Sequence, residues 1–176
     1  MTSTQSDEQH RIQKAINGNN GVSTQNGLDE LIDNGIDEDA TEITMTFENG
    51  KIKKIYNNGN PMNLNDRINS LTLDGRSKSK PKKNIKGRYG IGGANARCIL
   101  GGQGKEIITT REGNTVFQCE INLEKLQDEN ISPRNCWTCE DTTLNPYRPI
   151  WKEIKDNAHS YKDGVTKEYI GENLKQ

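Results

Sequence analysis

A helical repeat of apolar positions stands out first, in residues 28–39 of the chain. The apolar residues of this repeat are Leu28, Leu31 and Ile32. At 3.6 residues per turn, the same spacing places Glu30 and Asn34 one above the other on a polar face. We therefore predict an amphipathic helix that ends near residues 37–39.

Alternating hydrophobicity predicts two β-hairpins. In residues 40–56 the alternation is interrupted by Asn49-Gly50, a pair that suits a tight hairpin turn. Residues 105–111 and 115–121 are rich in β-branched and aromatic side chains and flank Gly113, so they form the second candidate. Strands that come as hairpins favour an antiparallel or mixed sheet over a doubly wound parallel one.

The other predicted elements are short helices and a last strand. The helices are expected at residues 11–16, 94–100 and 150–157, and the strand at residues 164–170. Together these elements predict a flexible tail at residues 1–9 and one α/β domain over residues 10–176. The domain divides into a core over residues 11–121 and a C-terminal part over residues 122–176.

Composition restricts the class of protein. A chain of 176 residues with 30% hydrophobic residues corresponds to about one domain with a small core. Its 24 Lys and Arg nearly balance its 25 Asp and Glu, so no net charge draws the whole protein onto nucleic acid or membrane. No stretch approaches the roughly 20 apolar residues that span a bilayer. We expect a cytoplasmic protein without a membrane partner, and a nuclear location is compatible with the same composition.

The cysteines do not form a dense secretory framework, and we expect reduced thiols. They are Cys98, Cys119, Cys136 and Cys139. The last two have the spacing of a metal or redox pair, but a second close pair is missing and His159 lies far along the chain. Structural cysteines are therefore favoured over a zinc site.

The polar face of the first helix suggests chemistry. A carboxylate that polarises water (Glu30), one turn from an amide oxygen that ligates a hard cation (Asn34), suits metal-assisted reactions of phosphates. Asp33 and Asp37 add further acidic groups to the same segment. Taken alone, the helix is explained as well by a solvated polar face.

A basic segment leads into a glycine-rich turn. Its basic residues are Arg76, Lys78, Lys80, Lys82, Lys83, Lys86 and Arg88, and the glycines are Gly87, Gly90, Gly92 and Gly93. Glycines ahead of a helix start form an anion site, because unpaired amides and the helix dipole both point at the ligand. Phosphate is the expected occupant, although a tight connection also explains the glycines. Duplex DNA along the basic residues is an alternative, whereas scarce aromatic residues argue against a single-strand platform.

Taken in order, these motifs resemble the GHKL ATPases, which include gyrase B, heat-shock chaperones, histidine kinases and MutL, with MORC-type ATPases also similar. The motifs are the E-x-x-x-N helix, the hairpin, the Asn-Asn-Gly-Asn-Pro-Met loop, the basic segment and the G-x-x-G-x-G-G turn. The resemblance covers about residues 11–121. It implies the Bergerat fold, a two-layer α/β sandwich in which helices cover one face of a mixed, mainly antiparallel sheet.

The resemblance also implies a function. ATP and magnesium (Mg2+) are the expected ligands, hydrolysis is expected to be slow, and lid closure would be coupled to formation of a homodimer or to a DNA or protein partner. Topoisomerase-like and chaperone-like roles both belong to this superfamily.

Roles are carried over one residue at a time. Glu30 is similar to the general base that orients the attacking water, and Asn34 to the magnesium ligand. Lys78 or Lys80 resembles the lid base that meets phosphate. The nucleotide-binding positions that the resemblance implies are Asn34, Asp37, Asn57, Gly59, Met62, Lys78, Lys80, Gly87, Arg88, Tyr89, Gly90, Ile91, Gly92, Gly93 and Thr166.

Two positions depart from the pattern. Asn57 stands where the family places the aspartate that accepts the adenine amino hydrogen, and Pro61 stands where it places a second glycine. An asparagine can accept the same hydrogen bond without charge assistance, or donate to guanine O6. The alternative to an ATPase is therefore a nucleotide-binding module with little turnover, and the base stays open between adenine and guanine.

Overall fold

Helices and short strands make up the computed structural model, which describes residues 24–71, 96–97, 100–102, 104–126 and 147–171. The helices are α1 (Thr24–Asp37), α2 (Leu64–Ser70) and α3 (Leu123–Leu126), with further helical residues at 96–97 and 100–101. The strands are β1 (Ile43–Glu48), β2 (Lys51–Asn57), β3 (Lys105–Glu112), β4 (Thr115–Asn122), β5 (Lys152–Ile154) and β6 (Gly164–Ile170). A 3-10 turn at Ala158–Ser160 precedes β6.

The six strands form one sheet in the order β1-β2-β6-β3-β4-β5. Every described pairing is antiparallel. The expected sheet is mixed and mainly antiparallel, and the antiparallel part of that expectation is confirmed. Both predicted hairpins are confirmed, as β1–β2 and β3–β4. The last strand, β6, lies in the middle of the sheet and joins the two hairpins.

A helical layer covers one face of the sheet, which confirms the α/β two-layer fold. Leu31 of α1 packs in one core cluster with Ile52 and Ile55 of β2, Tyr169 of β6 and Ala96 from the helical residues before β3. Burial of such side chains stabilises each by roughly 1.5–3 kcal/mol relative to exposure. Burial of these side chains therefore holds α1 over β2 and β6.

A β-bulge explains the spacing of the buried residues in β2. Thr46 pairs with Lys54 and Phe47 pairs with Ile52, so Lys53 is an extra residue in β2. The extra residue lets Ile52 and Ile55, three positions apart, both face the core. The simple alternation expected for β1 fails at the same place, because Phe47 is 53% exposed.

The predicted helix over residues 150–157 is wrong. Residues 152–154 form β5, which pairs with β4 through Val116 and Ile154. Without this strand β4 would present a row of unpaired backbone groups at the sheet edge, and this long-range demand outweighs the local pattern.

Short helix α2 was not predicted, although its start carries a signal. The Asp66 N–H donates to Asn63 Oδ1 at 2.9 Å, and the Asn63 N–H donates to Asp66 Oδ2 at 3.3 Å. These reciprocal bonds form a capping box, with an amide and a carboxylate in place of the usual Ser or Thr and Glu.

Several predictions lie outside the described residues. They are the tail at residues 1–9, the helix at residues 11–16, and Cys98, Cys136 and Cys139. Cys119 is buried and makes no disulfide. Burial raises the pKa of its thiol to about 12, so it is unreactive at neutral pH. Among the described helices, none is long and apolar enough to cross a membrane.

Candidate active site

Helix α1 brings Glu30 and Asn34 to the edge of its contact with the sheet. Gly27, Leu31 and Gly35 recur every four residues and form the buried stripe of α1. Glu30 and Asn34 each directly precede a residue of this stripe, and both are half-buried. The predicted helix and the pairing of these two side chains one turn apart are therefore present in the structure.

Gly35 allows α1 to approach the end of β2. A Cβ atom built on Gly35 would lie 2.9 Å from Ile43 Cδ1 and 3.4 Å from Asn57 Cβ. An added methyl group at this position would displace the end of the Ile43 side chain. The close approach brings the backbone of α1 at Gly35 against the Asn57 side chain.

The loop after β2 is held against the end of α1. A Cβ atom on Gly59 would lie 2.6 Å from the Glu38 carbonyl oxygen, and the Asn60 N–H donates to that oxygen at 2.7 Å. The Asn58 side-chain oxygen accepts the N–H groups of Thr41 and Glu42 at 2.9 and 2.8 Å. A side chain at position 59 would collide with the backbone of Glu38, so this close packing requires a glycine.

Met62 is fixed from the sheet side. Its N–H donates to Thr110 Oγ1 at 2.9 Å, and its carbonyl oxygen accepts a bond from Arg67 at 3.2 Å. The loop over residues 57–62 is thus anchored to α1 at one end and to β3 at the other.

Two rows of side chains form the floor beneath α1. Residues opposite each other in antiparallel strands share a face. The first row is Asn57, Val165 and Thr110, and the second is Ile55, Lys167 and Ile108. Asn57 and Lys167 therefore lie in adjacent rows on the helix-covered face.

Thr166 does not lie on this floor. It pairs with Tyr56 and Thr109, and successive residues of a strand point to opposite faces. The structure therefore does not bring Thr166 to Glu30. Val165 is the residue of β6 that faces the floor beside Asn57.

The carboxyl group of Glu30 has a raised pKa. Burial is the largest cause, and the nearby Asp33 and Asp37 carboxylates also raise the pKa, while Lys167 lowers it. Asp37 itself is exposed in the last turn of α1. A half-buried carboxyl group with a raised pKa is suited to accept a proton near neutral pH.

A buried ion pair lies on the same floor. Arg97 Nε donates to Glu106 Oε1 at 2.8 Å, and the two side chains are 8% and 1% exposed. Burial alone would raise the pKa of Glu106, but Arg97 and Lys167 together hold it below its usual value. Burial lowers the pKa of Lys167, and Glu106 and Glu30 oppose that effect.

Sequence reasoning missed Arg97, Glu106 and Lys167. Glu106 and Lys167 are polar residues within alternating strands, and such residues usually face solvent. The available signal was that Lys167 shares its face of the strand with Val165 and Tyr169. That pattern would have placed a lysine on the apolar side of the last strand.

Many predicted phosphate-binding residues lie outside the described residues. They are Lys78, Lys80, Gly87, Arg88, Tyr89, Gly90, Ile91, Gly92 and Gly93. Of the predicted positions that are described, Glu30 and Asn34 lie one turn apart on α1, Gly59 is hydrogen-bonded to Asn57 in the loop after β2, and Met62 is anchored to β3.

Comparison with known proteins identifies the family. A model described as histidine kinase-, DNA gyrase B- and HSP90-like ATPase matches residues 22–160, most of the chain. The chain belongs to this family. Membership confirms the resemblance found in the motifs and indicates, in general terms, an ATP-binding ATPase domain.

A solved structure supports the same fold. The crystal structure of the N-terminal domain of a DNA repair protein is similar, with a TM-score of 0.53 and 15% sequence identity. The match covers 89% of this chain but only 38% of that chain. At this identity the likeness shows the fold alone. No curated protein matches the chain significantly.

Proposed function

We propose that this GHKL domain binds ATP with magnesium and hydrolyses it slowly, with Glu30 as the general base. The observation that carries the proposal is the half-buried carboxyl group of Glu30 with its raised pKa, at the edge of a floor that includes Asn57. A pure binding site does not need a base at this position. Family membership supports the choice of ATP.

The environment of Glu30 suits proton transfer. A general base works best when its pKa approaches the working pH, and burial together with Asp33 moves the pKa of Glu30 in that direction. Lys167 limits the rise. The carboxylate can therefore accept a proton from water and still ionise.

Asn34 fits the role of magnesium ligand. Within the described residues, no three His, Cys, Asp or Glu side chains cluster as a metal site. Magnesium prefers oxygen ligands, keeps several waters and commonly uses phosphate oxygens of its substrate. A single amide oxygen from Asn34, one turn from Glu30, is compatible with that arrangement. When bound, the ion would neutralise charge on the phosphates.

Asn57 is the proposed base-reading residue. Its side-chain oxygen accepts the Gly59 N–H at 3.1 Å. The amide nitrogen is then the other group that can meet a base edge, and it is a donor. A donor at this position favours an oxo group, as in guanine, more than an aspartate would, so GTP belongs beside ATP in any binding test.

The alternative is a nucleotide-binding module with little turnover, which the departures from the family pattern at Asn57 and Pro61 favour. Lid closure coupled to a homodimer or to a DNA or protein partner belongs to either version.

The DNA option draws support from the similar DNA repair domain and from the basic residues over 76–88. Phosphate binding by Lys78, Lys80 and the glycine-rich turn remains a prediction from the sequence.

The deciding experiment measures binding and turnover on the same preparations. Calorimetry with ATP, GTP and ADP, with and without magnesium, is combined with phosphate release by the wild type and Glu30→Gln. We expect Glu30→Gln to bind ATP and to release phosphate about a hundredfold or more slowly. The matched control is Asp29→Asn, which removes the same charge from an exposed neighbouring position of α1.

Each outcome is decisive. A wild type that binds ATP but releases phosphate no faster than Glu30→Gln would establish the binding module. A wild type that binds none of the nucleotides would refute the proposal altogether. An equal loss in Asp29→Asn would show that the effect is not specific to the base.

A further inference from the structure

We infer that Lys167 is a positioning residue for Glu30: its ammonium group, held by Glu106 on the sheet floor, orients the Glu30 carboxylate toward the attacking water. The inference rests on the proposed function, since it needs Glu30 as the base. It adds a residue from the far end of the sequence to the site.

The register of β6 places Lys167 beneath α1. Lys167 lies between Ile55 of β2 and Ile108 of β3, which are 4% and 1% exposed. Residues opposite each other share a face, and Ile55 packs in the same cluster as Leu31 of α1. The lysine stem therefore rises from the middle of the sheet toward the helix that carries Glu30.

An ammonium group in this position needs anionic partners. Isoleucines flank it on both neighbouring strands, and burying an unpaired charge costs several kcal/mol. Two carboxylates act on Lys167 favourably, Glu106 of β3 and Glu30 of α1, while Arg97 acts unfavourably.

Counting charges shows why Glu30 belongs to the group. Arg97 and Lys167 are two cations, and Glu106 is one carboxylate, already bonded to Arg97 at 2.8 Å. Among the described residues, Glu30 is a second carboxylate that acts on Lys167, so Arg97, Lys167, Glu106 and Glu30 carry two charges of each sign. Arg97 is also fixed by the Ser70 carbonyl oxygen at 3.1 Å, so its position is set by another element.

The groups that face Glu30 act in opposite directions. Asp33 and Asp37 on its own helix repel the carboxylate, and Lys167 is the cation that attracts it from the sheet. A carboxylate repelled along its own helix and attracted from below is drawn toward the floor. That floor also carries Asn57, the proposed base-reading residue, in the adjacent row.

The test compares Lys167→Met and Lys167→Arg with the wild type in phosphate release and in ATP affinity with magnesium. The matched control is Lys54→Met, which removes the same charge from the neighbouring strand at an exposed position paired with Glu168. We expect Lys167→Met to lower kcat about tenfold to a hundredfold, as misplacement of a catalytic group does. ATP affinity should change little, and Lys167→Arg should recover part of kcat. A purely structural residue would not give this separation of kcat from binding.

A double variant keeps the inference testable if Lys167→Met unfolds. Lys167→Met/Glu30→Gln removes one charge of each sign, so Glu30→Gln should raise the melting temperature of Lys167→Met by more than it raises that of wild type. A gain in Lys167→Met no larger than the gain in wild type would overturn the inference. In folded proteins, a Lys167→Met kcat equal to that of wild type would overturn it as well. A wild type without turnover would instead refute the proposed hydrolysis, so the two failures are distinguishable.

Discussion

Removing Arg97 from its buried ion pair should destabilise the protein strongly. In Arg97→Met the Glu106 carboxylate, 1% exposed, loses its closest cation and its 2.8 Å hydrogen bond. Removing one partner of a buried pair costs about 3–5 kcal/mol when the other charge is left without compensation. Lys167 also acts on Glu106, so this cost is an upper bound here. For a chain of this size each kcal/mol corresponds to about 2–4 °C, so the melting temperature should fall by at most roughly 20 °C.

A second ion pair of the same length provides the control. Lys105 Nζ and Glu120 Oε1 are also 2.8 Å apart, but their side chains are 51% and 55% exposed. Exposed pairs contribute little because water and salt screen them, so Lys105→Met should melt close to wild type. Equal distances with different burial isolate the contribution of burial itself.

Thermal and urea unfolding of the wild type and both variants, followed by circular dichroism, would measure the difference. The double variant Arg97→Met/Glu106→Leu should be more stable than Arg97→Met, because no unpaired carboxylate is left buried. A melting temperature for Arg97→Met as high as that of Lys105→Met would refute the reasoning.

Three further predictions concern the site. Asn34→Ala should weaken ATP binding in magnesium but not in EDTA; equal affinities for mutant and wild type in magnesium, measured by calorimetry, would remove its role as ligand. Asn57→Asp should improve the affinity for ATP relative to GTP by about fivefold, the equivalent of about 1 kcal/mol from a charge-assisted bond, and an unchanged ratio would exclude base reading by this residue. Glu30→Gln should melt higher than wild type at pH 7, with the difference shrinking toward pH 4.5. The sign follows because the folded state raises the pKa of Glu30, so its contribution lowers stability as pH rises through that window. A difference that does not depend on pH between 4.5 and 7 would contradict this.

Elements with strong local patterns could be predicted from the sequence. Helix α1 follows from its apolar repeat, and the first hairpin follows from alternation around Asn49 and Gly50, which adopt φ angles of 51° and 75°. Both signals are local, so no knowledge of the rest of the fold is required. The position of β6 between the two hairpins could not be predicted in this way, because it depends on pairing between strands far apart in the chain.

The candidate site likewise contains residues that local patterns predict and residues whose placement depends on strand pairing. Glu30 and Asn34 could be predicted because their relation is a helical spacing. Asn57 and Gly59 follow from the loop motif, whereas the placement of Thr166 away from Glu30 required the register of β6. Lys167 became a candidate only when the neighbours of β6 were known, since its half-buried position between two isoleucines is set by β2 and β3.

The buried charges also indicate a part of the fold that stability alone does not explain. Well-packed hydrophobic residues in place of a buried ion pair are often as stabilising or more so, so stability alone does not account for Arg97 and Glu106. The Glu106 carboxylate, bonded to Arg97, does however act favourably on Lys167 as an anionic partner. Under the proposal that Lys167 orients Glu30, Arg97 holds Glu106 and Glu106 in turn holds Lys167. The cost of burying these charges is then offset by a carboxylate held in one position, which is what a general base requires.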